Sequence, residues 1–118
     1  MHQKIIAVDF DGTLSSAQYP VIGQPNTALI EYLNCAKKSG YAIVLWTCRE
    51  GNELYEALEW CKEQGLTFDA VNENPKFIYF ESRKVVADIY IDDCNLDNGL
   101  LKAFWEKTNY DLSNSTPR

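Results

Sequence analysis

The chain has 118 residues, 46% of them hydrophobic and 24% charged, which describes one soluble domain able to bury its own core without metal or disulfide staples. Eleven Lys and Arg against seventeen Asp and Glu leave a net charge of −6. That balance repels phosphate backbones and anionic lipid, which argues against a partner that is long nucleic acid or a membrane. Apolar runs reach only about half a membrane span, and the start MHQKIIAVDF reads as a charged strand and not a leader, so a cytoplasmic protein is expected.

In chain order, Lys4 to Phe10 is a continuous apolar strand ended by Asp11-Gly12, and residues 15–25, with Pro20, Gly23 and Pro25, form a loop. Asn26 is placed to cap a helix whose apolar stripe is Leu29, Leu33 and Ala36, with Gly40 as its stop. Tyr41 to Thr47 is a second apolar strand. Asn52 is expected to cap a second helix, with Leu54, Leu58 and Cys61 on its buried side and Gly65 at its end. Phe68–Asn72 is a short third strand, and Val85–Ile91 a fourth that delivers the chain to Asp92-Asp93. A last helix is expected from about Asn98 to Lys107, burying Leu101, Phe104 and Trp105, with a loose polar tail over 110–118. In the segment 73–84 the apolar residues Phe77, Ile78, Tyr79 and Phe80 are consecutive, so periodicity does not choose between strand and helix. Strands apolar on both faces, alternating with amphipathic helices, predict a single α/β domain over residues 1–118. Its architecture is a three-layer, Rossmann-like arrangement with a parallel sheet flanked by helices.

The only histidine is His2, and the four cysteines (Cys35, Cys48, Cys61, Cys94) are scattered with no CxxC pair. Histidine-based nucleophilic catalysis and zinc sites are thereby excluded, and reduced thiols are expected. Catalysis would have to come from carboxylates, lysine, hydroxyls and an oxygen-bound metal. Ligands of open parallel sheets bind outside the carboxyl ends of the strands. Those ends carry Asp9-Phe-Asp11-Gly-Thr13, then Thr47-Cys-Arg49, then Asp92-Asp93. Four carboxylates in one crevice repel unless a cation sits among them, and an all-oxygen set suits Mg²⁺.

These residues carry a resemblance. Asp9-Phe-Asp11-Gly-Thr13-Leu14 after a hydrophobic strand is similar to the first motif of the haloacid dehalogenase-like (HAD-like) superfamily, mostly Mg²⁺-dependent phosphatases. Thr47 matches the second motif, a lysine ahead of the last strand the third, and Ile91-Asp92-Asp93 the acidic fourth. The resemblance implies that Asp9 attacks phosphorus to form an aspartyl-phosphate, and that Asp11 is general acid and then base. It also implies that Thr47 and Lys84 bind the phosphoryl group, and that Asp9, the backbone carbonyl of Asp11, Asp92 and Asp93 serve the metal, Asp93 as the direct ligand of the last two and Asp92 through water. Gly12, Thr13, Cys48 and Arg49 fall in the implied phosphate-binding set. The spacing of Lys84 resembles that in the deoxyribonucleotidase branch, so it is preferred to Lys76. No cap domain fits in the gaps between motifs, which implies a minimal, capless member.

Plainer readings stand beside these. Asp-Gly after a strand is a common turn. Arg49 is as well explained by a salt bridge with Glu50 or Glu53. Asp97 reads equally as a carboxylate at a helix N-terminus or as a residue orienting a metal-bound water. Cys48, Trp46, Trp60 and Trp105 read as packing residues, and isolated lysines are mostly solvated. The expectation is a Mg²⁺-dependent phosphoric monoester hydrolase acting on a phosphorylated substrate. A phosphotransferase or an inactive phosphate-binding relative is the alternative, and a receiver-type phosphoacceptor domain is a remote one, disfavoured because its acidic pair would come first and not last. A homo-oligomer is slightly favoured over a monomer, since Phe77, Tyr79 and Phe80 need burial.

Overall fold

The computed structural model describes residues 3–78, 82–94 and 98–114; His2, Tyr79, Phe80 and Asp97 lie outside them. Four strands and three helices follow in the order β1 (Ile5–Val8), α1 (Thr27–Lys38), β2 (Ala42–Leu45), α2 (Gly51–Glu63), β3 (Ala70–Val71), β4 (Ile89–Ile91) and α3 (Gly99–Ser113). All strand pairs are parallel, in the order β3-β2-β1-β4. This is the expected α/β domain with a parallel sheet and flanking helices.

The two central strands are apolar on both faces because both faces are covered, though by different means. Ile6, Val8, Ile43 and Leu45 pack with Leu29 and Leu33 of α1, Ala57 and Cys61 of α2, and Leu101 of α3. The alternate residues Ile5, Ala7, Ala42 and Val44 are covered by Val85, with Ile78 and Ala87 against them. Among the described residues the three helices therefore share one face, and the crossover from β3 to β4 covers the other, so the cover expected on that second face comes from the crossover and not from a described helix. From β1 the chain steps through β2 to β3 and then crosses to β4 on the far side of β1. The strand order reverses between β1 and β4, which is where open α/β sheets form their ligand crevice.

Several boundaries differ from expectation. β4 begins at Ile89, not Val85, because residues 85–88 cross the second sheet face. The side chain of Asn74 clamps that stretch, donating to Lys84 O at 3.2 Å and accepting from Val86 N at 2.6 Å. α2 begins at Gly51 with Glu50 as its N-cap, so Asn52 does not cap it. The buried Arg49 side chain fixes this earlier start by donating to Glu53 O at 3.3 Å. α3 runs six residues past Lys107, to Ser113. A Lys107–Asp111 pair at 3.1 Å bridges its last turns and Asn114 donates to Tyr110 O at 2.8 Å, so the tail is helical through 113.

Candidate active site

The site is an extension of the sheet register. Val8 pairs with Leu45 on one side and Ile91 on the other, and Leu45 pairs with Val71. One residue further, Asn72, Trp46, Asp9 and Asp92 stand in a row across the carboxyl edge. Backbone bonds fix that row: Asp9 N donates to Ile91 O at 2.9 Å, Trp46 N to Val8 O at 2.8 Å, and Asn72 N to Leu45 O at 2.8 Å. Strand alternation places Asp9 on the same face as Ile5 and Ala7, and Trp46 on the same face as Val44. Asp9, Trp46, Thr47, Cys48 and Asp92 line a cavity of about 220 Å³.

Burial pushes the Asp9 carboxyl up to about 7, opposed by a hydrogen bond from the Phe10 backbone and reinforced by the charges of Asp92, Asp93 and Asp11. Among the described residues, the charges acting on Asp9 are thus all carboxylates. The Thr13 hydroxyl donates to Asp9 Oδ2 at 3.5 Å. Beyond β4, Cys94 N donates to Asp92 Oδ1 at 2.7 Å and Asn98 Nδ2 to Asp93 O at 2.6 Å. Asp92, Asp93 and the exposed Cys94 bring donor atoms within 4.8 Å of one another. Gly12 has a left-handed φ of +78°, and a Cβ there would collide with Asp93 Oδ2. Only glycine fits, which lets the loop after β1 close onto the carboxylate after β4. Trp105 Nε1 donates to Gly12 O at 3.3 Å and steadies the turn.

Arg49 is placed differently from every reading of the sequence. It is 1% exposed, and its guanidinium meets Asp11 in a two-point pair, with Nε to Oδ2 at 3.0 Å and Nη2 to Oδ1 at 2.7 Å. It also donates to Pro20 O and Val21 O at 3.3 and 3.4 Å and lies over the rings of Phe10 and Tyr19 at 4.8 and 5.2 Å. It is neither an open phosphate contact nor the partner of a Glu50 or Glu53 carboxylate. A planar fork buried against two rings fits Asp11 as a point charge would not. Both Asp11 oxygens are engaged by this pair, and Asp11 does not line the cavity beside Asp9.

Thr47 stands two residues past the end of β2. Its N donates to Asn72 Oδ1 at 2.8 Å, its Oγ1 accepts from Arg49 N at 3.1 Å, and it lines the cavity. Asn72 reaches it from a left-handed φ of 54°. Cys48 and Trp46 are corrected from packing residues to partly open cavity walls, Trp46 being 38% exposed. Sheet register could have found Trp46, because it stands level with Asp9 one step past the last covered residue. Trp60 does pack, edge to face on Phe10 at 5.5 Å. Lys84 is exposed and shares the second sheet face with Asp9, but its Nζ stands over the Tyr90 ring at 5.9 Å and not in the cavity. Lys76 is exposed, as is Phe77.

A solved structure of a conserved protein coded by a locus from Bacteroides thetaiotaomicron superposes on this chain with a TM-score of 0.72. The two are 34% identical over 98% of this chain and 100% of the other. This chain belongs to that protein's family. The family likeness therefore spans the whole sheet, including the four strand ends that carry the candidate site. No protein-family model and no curated protein matches the chain. Among the described residues no helix is long and apolar enough to cross a membrane.

Proposed function

We propose that the chain is a HAD-like phosphoric monoester hydrolase working through an aspartyl-phosphate on Asp9. The observation that carries the reading is the register row that sets Asp9 beside Asp92 in a cavity whose wall includes Thr47. A carboxylate nucleophile needs no base but does need its own charge and that of a phosphate dianion offset before they meet. Asp9 together with Asp92 and Asp93 of the Asp92–Asp93–Cys94 cluster, and the Asp11 backbone carbonyl implied by the resemblance, would supply an all-oxygen donor set, and such a set fits Mg²⁺. The fit is supported by the charges of Asp92 and Asp93 acting on Asp9 and by Gly12, where a Cβ would collide with Asp93 Oδ2. Bound there, the ion would supply charge neutralisation.

In the first step an Asp9 oxygen attacks phosphorus, the ester P–O bond breaks, and the alcohol leaves with a proton. In the second, water attacks the same phosphorus, the bond to Asp9 breaks, and inorganic phosphate is released. The Thr47 hydroxyl donates to a phosphoryl oxygen, and Lys84, the lysine sharing the face with Asp9, offsets its charge, which requires its Nζ to leave the Tyr90 ring for the cavity. Asp11 gives and then takes the proton, which requires one of its oxygens to leave Arg49. A reducing cytoplasm suits the four free cysteines. Phosphate release from a panel of phosphorylated metabolites with Mg²⁺ tests the reading. Release should vanish with excess chelator, in Asp9→Asn and largely in Lys84→Ala, but not in Lys76→Ala; turnover undiminished in chelator or in Asp9→Asn overturns it.

One observation favours a second reading, in which the chain transfers or merely holds phosphate. If Asp11 stays paired with Arg49, hydrolysis of the phosphoenzyme lacks its base. Covalent phosphate would then accumulate on wild-type Asp9, released from denatured protein by hydroxylamine, without steady turnover.

A further inference from the structure

We infer that the site selects phosphomonoesters whose alcohol carries a planar aromatic group, with Trp46 as the stacking platform; this rests on the phosphatase reading of the same cavity. Trp46 is the register neighbour of Asp9 on β2, as Asp92 is on β4, and the sheet places all three on one face. The acidic side of Asp9 is the side toward β4, where Asp92 stands level with it and Asp93 follows. The opposite side is the indole. A phosphoryl group brought to Asp9 therefore has an anionic, cation-demanding wall on one flank and an apolar ring on the other. The crossover that covers the sheet face, through Val85 and Ile78, packs on Ala7 and Val44. Trp46 stands beyond that pair and keeps 38% of its surface open. Its backbone N–H donates to Val8 O at 2.8 Å, which holds its backbone in the sheet register one residue past β2. The cavity, about 220 Å³, is lined by both Asp9 and Trp46, so a phosphoryl group at Asp9 and its alcohol against the indole would share one space. An exposed indole prefers a flat π-face to a puckered aliphatic one, and such stacking adds about two- to tenfold in affinity over area burial alone.

Benzyl phosphate and cyclohexylmethyl phosphate separate this inference from the phosphatase reading, because their alcohols have similar acidity and bulk and differ in the ring. With Mg²⁺, kcat/KM for the benzyl ester should exceed that for the cyclohexylmethyl ester by about two- to tenfold. The ratio should fall toward one in Trp46→Leu and be retained in part in Trp46→Phe, with unchanged circular dichroism in both. Calorimetric binding of benzylphosphonate and cyclohexylmethylphosphonate, which cannot be hydrolysed, provides the second arm and should show the same ratio and the same loss. Equal turnover of both esters with no change in Trp46→Leu overturns the aromatic selectivity and leaves the phosphatase reading standing. No turnover of either ester, with tighter binding of benzylphosphonate that Trp46→Leu abolishes, supports the selectivity and overturns the phosphatase reading. Equal binding of the two phosphonates overturns the selectivity in either case.

Discussion

The pair with most consequence at the scale of single residues is Arg49–Asp11. A guanidinium 1% exposed depends on that carboxylate, so Asp11→Ala strands a buried charge. Loss of one partner from a buried pair costs about 3–5 kcal/mol. Urea unfolding of Asp11→Ala should show a loss of that order, and Asp11→Ala with Arg49→Met should recover part of it; a double variant no more stable than Asp11→Ala contradicts the pairing. Asp9 makes a second prediction. Its carboxyl is raised from 3.8 to about 7, chiefly by burial, so between those values the folded chain keeps a proton that the unfolded chain releases. A group that binds its proton more tightly when folded makes stability fall as pH rises through that window. In chelator, the wild-type Tm should therefore drop from about pH 4 to 7 more steeply than that of Asp9→Asn, and Mg²⁺ should lessen the drop. Parallel curves for the two proteins in chelator would mean Asp9 is not held this way. Sequence exposed the four carboxylates and Thr47 because strand ends are legible from hydrophobic runs. It could not expose the role of Arg49, whose partner lies 38 residues away.

At the scale of elements, α1 shows a sequence signal completed from a distance. Asn26 caps it as its position predicts, accepting from Leu29 N at 3.3 Å. The same oxygen accepts from Thr108 Oγ1 at 2.8 Å, and that hydroxyl takes the Ala28 N–H at 3.0 Å. All three groups are buried, so Thr108→Val leaves the Ala28 N–H unmet and removes a donor from Asn26 Oδ1, and should cost about 1–3 kcal/mol. Asn26→Ala should cost a similar amount, and a double-mutant cycle by urea unfolding should show the two coupled; strictly additive losses would contradict the shared network. The strand starts carry a matching device. Asp88 Oδ2 accepts from Ile5 N and Asp69 Oδ2 from Ile43 N, each at 2.8 Å, tying the amino edge of β4 to β1 and of β3 to β2. Neither aspartate stands out in the sequence, because nothing local separates a carboxylate that closes a ladder from one in solvent.

At the scale of the whole molecule, the face that among the described residues is covered by the crossover, and not by a helix, is the site's face. Phe77, 39% exposed, stands on that crossover, next to Ile78, which packs inward. A homo-oligomer that buries Phe77 should sediment at a multiple of 13.5 kDa, and Phe77→Ser should return it to one chain. A wild-type mass of 13.5 kDa at every concentration contradicts this.

What the sequence determined by itself was periodic or terminal: the two apolar central strands, the helix stripes, the Asn26 cap, the Gly40 and Gly65 stops, and the carboxylates that follow β1 and β4. Those features are local, since burial on both faces and capping each leave a pattern within a few residues. Tertiary structure decided what depends on distant partners. The crossover turned Val85 to Asp88 from strand into sheet cover, and Arg49 was drawn under the loop to Asp11. Register set Trp46 level with Asp9 at an uncovered sheet end. A tryptophan in an apolar run reads as core by composition, and only the alignment of neighbouring strands fixes which residue is the first one past the cover.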